Sequence, residues 1–275
     1  MRSRSLSATE ARVVLSLEES RTEDVTLETI ERFARVRRGY ARKLAHGLVA
    51  KGWLQRVGRG RYLLNPSGYG PDAVPETDPL RLGSRLVEPY YFGYATAAEL
   101  WGFLLQPGRT YYVVTPRRTE VRIRGPARFQ VVRSADRRFF GAASITRRGQ
   151  ALRVSDPERT VLDCLDRPEL CGGIPGAVQV LARAKPRLSW PRLARYLKRV
   201  GNRSLAIRCG FLAEHVRPAV PVPTRWLDAL RPGADAAWVP LGPPGTYGRA
   251  GTRDPRWRVV RNVPARELLA EEDAR

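Results

Sequence analysis

Cysteine, histidine and methionine are scarce in these 275 residues, at three, two and one. The cysteines, Cys164, Cys171 and Cys209, are odd in number and lack Cys-x-x-Cys spacing, which argues against a disulfide framework. With only His46 and His215 beside them, no zinc-ligand set assembles from local sequence. They read as reduced core thiols, and neither a metal nor a cofactor is expected. No run approaches the roughly 20 apolar residues of a membrane span. The opening MRSRSLSATE leads into a charged helical pattern rather than a signal peptide, so a cytoplasmic protein without a membrane partner is expected. Acidic residues are also few, 27 against 49 Lys and Arg, for a formal charge of +22. That excess points to a polyanionic partner, and to nucleic acid before membrane, because no basic stretch carries a lipid-like apolar side. A GC-rich gene would explain Arg in place of Lys, but not the excess itself.

What is present is ordinary globular material, 43% hydrophobic and 28% charged, long enough for two domains. Residues 65 to 79, NPSGYGPDAVPETDP, are rich in proline and glycine and bury little, which reads as a linker between a small head (1–64) and a larger body (80–275). In the head every acid lies at or before Glu31, while residues 35 to 62, RVRRGYARKLAHGLVAKGWLQRVGRGRY, contain no carboxylate. Charge is therefore polarised within the head.

Ser7 and Glu10 form a capping-box pair ahead of a first helix with Ala11, Val14 and Leu15 as its apolar stripe. A second helix places Leu27, Ile30 and Ala34 on one face, with Thr26 as its cap. The third places Ala41, Leu44, Ala45 and Leu48 together and ends at Gly52. Trp53 to Val57 and Arg61 to Leu64 then read as strands around the tight turn Gly58-Arg59-Gly60. Three helices and a hairpin make the winged helix-turn-helix plan, in which the third helix enters the major groove and the hairpin wing straddles the backbone.

The solvent face of that helix carries Gly39, Arg42, Lys43 and His46, flanked by Arg37, Arg38 and Tyr40. Arg38 and Arg42 suit guanine O6 and N7, Lys43 suits phosphate, and Tyr40 and His46 fit either role. Wing residues Arg56, Arg59 and Arg61 are expected at phosphates or in a minor groove. The competing reading of a charge run is a plain solvated basic helix. Here the run coincides with the complete three-helix and hairpin frame, which favours double-stranded DNA.

The body reads as α+β. TAAELWGFL has a Thr96/Glu99 capping box with Ala97, Leu100, Trp101 and Leu104 at helical spacing, and TYYVVTP reads as a buried strand. TEVRIR and RFQVVR, around Gly125-Pro126-Ala127, alternate as a hairpin. In VSDPERTVLDCLDRPELCGG, Ser155 is expected to cap, Pro157 to sit in the first turn, and Val161, Leu162 and Leu165 to face inward. A sharper reading takes Asp156, Glu158, Asp163 and Asp166 as metal-binding carboxylates of a nuclease, but helix-start chemistry explains the first two and no lysine is near. GPPGTYGRAG, residues 242 to 251, has the glycines of a phosphate loop without the Gly-Lys-Ser/Thr that should follow, and reads as a surface loop.

GYARKLAHGLVAKGWLQRVGRGRYLL in the head, then YATAAELWGF, YYVVTPRR, FFG and VSDPERTVLDCLDRPELCGG in the body, together resemble the AbiE-type antitoxins of type IV toxin-antitoxin systems, bacterial regulators named for abortive phage infection. The resemblance spans about residues 35 to 175 in order, and the body motifs are the more specific part. It implies a head that binds inverted repeats in its own promoter and represses a toxin operon. It also implies a body that counters a nucleotidyltransferase-like toxin without a stable complex. It carries DNA contact onto the third helix and the wing, and no catalytic residue anywhere. A winged-helix-headed nuclease and a ligand-responsive regulator are the alternative functions.

Overall fold

Local capping chemistry sets the first elements of the chain. The structure, a computed structural model, describes residues 5–70, 78–105, 108–119, 127–147, 149–216 and 220–268. α1 (Ala8–Glu19) opens on the expected box, Ser7 and Glu10 exchanging backbone and side-chain hydrogen bonds. Its core stripe differs from the expected one. Val13, Val14 and Leu17 are buried and Leu15 is 62% exposed, because α1 turns the 10-13-14-17 row inward. β1 (Asp24–Thr26) leads into α2 (Leu27–Ala34), capped by the Thr26 hydroxyl, and Leu27, Ile30 and Ala34 are buried. α2 ends on Arg35 in the left-handed region (φ 55°), which turns the chain into α3 (Arg38–Ala50). α3 buries Ala41, Leu44, Ala45 and Leu48, and Gly52 beyond it has φ 77°, a conformation that costs a side chain about 1 to 2 kcal/mol.

β2 (Leu54–Gly58) and β3 (Arg61–Leu64) form an antiparallel hairpin with an irregularity between Arg56 and Gly58. β1 adds antiparallel to the other edge of β3, giving a sheet of order β1-β3-β2. The three helices and this sheet share one core, in which Leu17, Ile30, Leu48 and Leu54 are almost completely buried. Each such side chain contributes about 1.5 to 3 kcal/mol. Residues 65 to 70, expected as linker, lie on the head: the Asn65 amide donates to the Gly52 carbonyl, and Ser67 donates to the Glu18 carboxylate. Residues 71 to 77 lie outside the described residues.

The body is α+β, as its pattern implies. α4 (Pro79–Ser84), capped by Asp78, precedes β4 (Tyr91–Phe92) and α5 (Tyr94–Leu100). β5 (Thr110–Thr115), β6 (Arg128–Arg133), β7 (Ala142–Arg147) and β8 (Gln150–Ser155) complete a mixed sheet of order β6-β5-β4-β8-β7. The stretch RFQVVR forms a strand as expected, at the edge of this sheet. As β6 it runs parallel to β5, from Thr110 opposite Arg128 to Thr115 opposite Arg133. The expected hairpin with TEVRIR falls on residues 120 to 126, which lie outside the described residues. The Thr96/Glu99 capping box is also absent. α5 already starts at Tyr94, the Thr96 hydroxyl accepts the Tyr112 N–H of β5, and the Glu99 carboxylate accepts the Gly108 N–H.

α6 (Pro157–Asp166), α7 (Gly173–Ala184), α8 (Trp190–Val200), α9 (Arg203–His215) and α10 (Thr224–Leu230) follow. α6 has Pro157 in its first turn and buries Val161, Leu162 and Leu165, but its cap is Asp156, not Ser155. The Asp156 carboxylate accepts the Arg159 N–H at 2.8 Å, while Ser155 still belongs to β8 and shares its hydroxyl with Thr160. The stretch 242 to 251 contains the single turn α11 (Pro244–Tyr247) and lies among the short strands β9 (Val239–Pro240), β10 (Thr252–Asp254) and β11 (Val259–Arg261). Trp257 roots this end. It is fully buried, its indole N–H donates to Glu214, and a side chain at Gly210 would come within 2.4 Å of its ring. Cys164, Cys171 and Cys209 are free and buried.

Candidate nucleic-acid interface

α3 presents its polar side without any counter-charge. Its N-cap, Arg37, makes no side-chain capping bond and its first turn holds no acid. The unpaired N–H groups at its start, with their share of positive dipole, therefore add to the surrounding cations instead of being neutralised. Arg37, Arg38, Arg42, Lys43 and His46 are exposed, and Tyr40 is 50% exposed. Gly39 sits among them with nothing within 4 Å of the place a Cβ would occupy. The sequence-expected surface of α3 is thus brought together on one face, opposite the buried row Ala41, Leu44, Ala45 and Leu48.

The hairpin divides the remaining expected residues. Arg59 is exposed at its tip, and Arg56 is exposed with its Nε donating to the Gly58 carbonyl at 3.3 Å. Among the described residues no ion pair holds Arg37, Arg38, Arg42, Lys43, Arg56 or Arg59. Arg61 points elsewhere. It is half-buried, and its Nη1 donates to the Arg85 carbonyl at 3.4 Å, across the seam between head and body. Lys51, in the same acid-free stretch, is engaged by Glu10.

That seam is built from both charge and apolar contact. Arg81 pairs with Glu23 at 2.5 Å, Arg85 pairs with Asp24, and Val57, Leu63 and Leu82 form a small apolar cluster with Phe129 against it. The wing consequently lies beside the turn that follows β5, and one cleft is lined by Arg59 and Arg61 of the hairpin and Arg117 and Arg118 of that turn. Sequence reasoning placed no site residue in the body. The run Pro116-Arg117-Arg118 is visible in the sequence, but its nearness to Arg59 is a tertiary fact with no local signal.

The four carboxylates that a nuclease reading would use are each committed to a structural partner. Asp156 caps α6 and accepts the Tyr196 hydroxyl at 2.6 Å, and Glu158 accepts the Ser189 N–H and pairs with Arg192. Asp163 pairs with Arg159 at 2.9 Å, both nearly inaccessible, and Asp166 pairs with Arg138 at 2.6 Å. Burial lifts Asp156 and Asp163 above the ordinary aspartate range, and the bonds from Tyr196 and Arg159 offset this only in part. Among the described residues no group of three or more His, Cys, Asp or Glu is placed to hold a metal ion, and no helix is long and apolar enough to cross a membrane.

No family model matches the chain, and no curated protein matches it. Among solved structures it is similar to the crystal structure of the RV2827C protein from Mycobacterium tuberculosis, with a TM-score of 0.62 and 21% sequence identity. The likeness covers 94% of this chain and 93% of that one. At that identity it shows a shared α+β fold over nearly the whole length.

Proposed function

We propose that this chain is a DNA-binding antitoxin that represses its own toxin-antitoxin operon and counters a nucleotidyltransferase-like toxin. The observation that carries the DNA-binding part is the exposed face of α3, where Arg38, Arg42 and Lys43 surround the open Gly39 with no carboxylate among them. A helix with this face, followed by a β-hairpin with exposed arginines, supports a winged helix-turn-helix. In that geometry α3 enters the major groove and the β2–β3 wing lies over the backbone. Arg38 and Arg42, at the start of α3, reach base edges; Lys43, Arg56 and Arg59 hold phosphates.

The antitoxin part rests on the likeness of the body motifs to the AbiE-type family, with the toxin countered without a stable complex. The binding test is fluorescence anisotropy of the full chain on duplex DNA from upstream of its own gene, against a scrambled duplex over a range of salt. Preference for the upstream duplex with a steep salt dependence is expected, and equal affinity for both would remove the repressor assignment. For the antitoxin part, the chain is co-expressed with the nucleotidyltransferase-like product of a neighbouring gene. Failure to restore growth would remove that assignment while leaving the DNA-binding one standing.

A further inference from the structure

We propose that the cleft between the β2–β3 hairpin and the turn after β5 is a second grip on the DNA backbone, so that head and body hold one phosphate strand together. This rests on the reading of α3 as the DNA-facing helix, and extends the contact surface onto a part of the chain outside the head.

Four arginines line this cleft. Arg59 and Arg61 come from the hairpin, Arg117 and Arg118 from the body, and Thr119 adds a hydroxyl. Glu88 also lines it, so the cleft is cationic by three charges. Arg117 and Arg118 are exposed, and among the described residues the ion pairs found engage neither. Planar guanidinium forks match phosphate oxygens in pairs, which a lone ammonium does not.

The cleft walls are held in place, so the grip is formed before DNA arrives. Thr115, fully buried at the end of β5, donates its hydroxyl to the Pro89 carbonyl at 2.7 Å and accepts the Arg117 N–H at 3.3 Å. The turn carrying Arg117 is thereby tied to Pro89, which follows Glu88 of the cleft lining. On the opposite wall the Arg61 guanidinium is steered by the Arg85 carbonyl, and Arg85 itself is anchored to Asp24. The head cannot swing away without breaking these bonds and exposing Val57, Leu63 and Leu82.

The occupant follows from continuity. Arg59 belongs both to this cleft and to the exposed wing tip, and in the docking geometry of this motif the wing lies over the sugar-phosphate backbone beside the groove that the helix reads. A phosphate strand leaving the wing tip therefore meets Arg117 and Arg118 next.

The test compares full-length variants on the upstream duplex, with affinity measured across a salt series. Arg117→Ala/Arg118→Ala should weaken binding and flatten the slope of log K against log salt by about two units, since each phosphate contact contributes about 0.9. Arg117→Lys/Arg118→Lys should keep most of the slope. Arg195→Ala/Lys198→Ala removes the same charge from exposed positions on α8, a helix packed on α6 and α10, and should leave the slope unchanged. All three double variants should melt with the wild type. Equal losses from the Arg117/Arg118 and Arg195/Lys198 pairs would reduce the effect to net charge and overturn the proposal. If Arg42→Ala weakens binding while the Arg117/Arg118 pair does not, the second grip fails and the α3 reading stands. If Arg42→Ala changes nothing, the α3 reading itself has failed.

Discussion

Glu10 Oε2 lies 2.6 Å from Lys51 Nζ, joining the first turn of α1 to the end of α3. The same carboxylate accepts the Ser7 N–H, and its other oxygen would stand 3.0 Å from a Cβ at Gly47. One side chain thus closes the α1 cap and fixes the far end of the helix whose other face is cationic. Burial pushes the Glu10 carboxyl up, but the Lys51 ammonium and the Ser7 bonds outweigh it, leaving the group below the usual glutamate range. A depressed folded-state value contributes stability that is fully present above the ordinary glutamate value, about 4.3, and is lost as pH falls through the folded-state value. Glu10→Gln should therefore cost about 1 to 2 kcal/mol near pH 7, Lys51 being partly exposed, and the gap from wild type should close below about pH 4. Urea unfolding at pH 3 to 8 measures it; a gap independent of pH would contradict the pairing.

Gly39 separates stability from binding. An added Cβ there meets nothing within 4 Å in the free protein, and leucine is the better helix former by about 0.8 kcal/mol. Gly39→Leu should raise Tm slightly and still weaken binding to the upstream duplex, because the added side chain stands where the helix backbone approaches the groove. Improved binding together with improved stability would place this face away from DNA.

Arg42 and Arg59 should fail differently. Arg42→Ala is expected to cost about 1 to 3 kcal/mol on the upstream duplex and far less on scrambled DNA, eroding specificity. Arg59→Ala should weaken both duplexes alike and flatten the salt slope by about one unit if it meets phosphate; a loss that follows A·T content would assign it to a minor groove. Equal losses for Arg42→Ala on both duplexes would show that α3 grips without reading.

At the seam, apolar contact should outweigh charge. Leu82 is 3% exposed between Val57, Leu63 and Phe129, and Leu82→Ala should cost about 2 to 5 kcal/mol. The Arg81 and Glu23 side chains keep 30% and 45% exposure, so Arg81→Ala should cost at most about 1 kcal/mol. Chemical denaturation of the two variants decides the order.

Asp163→Ala leaves the Arg159 guanidinium, 4% exposed, without its carboxylate, and should destabilise the body by about 3 to 5 kcal/mol. Replacing both partners, Arg159→Met/Asp163→Leu, should recover most of that loss. A stable Asp163→Ala protein that had lost a metal-dependent nicking activity on supercoiled plasmid would instead revive the nuclease alternative.

What the sequence made legible was local. The Ser7/Glu10 box, the Thr26 cap, the inward row of α3 and the turn at Gly52 are each set by residues within one or two helical turns, and all four are found. Ser155 misled because it still belongs to β8 and its neighbour Asp156 supplies the cap, and Thr96 because its hydroxyl accepts the Tyr112 N–H of another element. RFQVVR shows how far alternation reaches: it identifies a half-buried strand, but the parallel pairing with β5 has no local signal. In the candidate site, the α3 face follows from helical spacing alone. The inward turn of Arg61 and the approach of Arg117 and Arg118 to the wing depend on the docking of α4 and β5, which no local pattern encodes.

The carboxylates in and just before α6 have a consequence for how the chain is made. Asp156 is tied to Tyr196, Glu158 to Ser189 and Arg192, and Asp166 to Asn202. These particular bonds close only after between 31 and 40 further residues have left the ribosome. The head is different, since the partners of Glu10, Glu18 and Thr26 all lie before residue 70. Synthesis from the N-terminus therefore completes the cationic helix and hairpin while the body is still an open chain. For that interval the nascent protein already displays its basic face, with Val57 and Leu63 uncovered until α4 arrives.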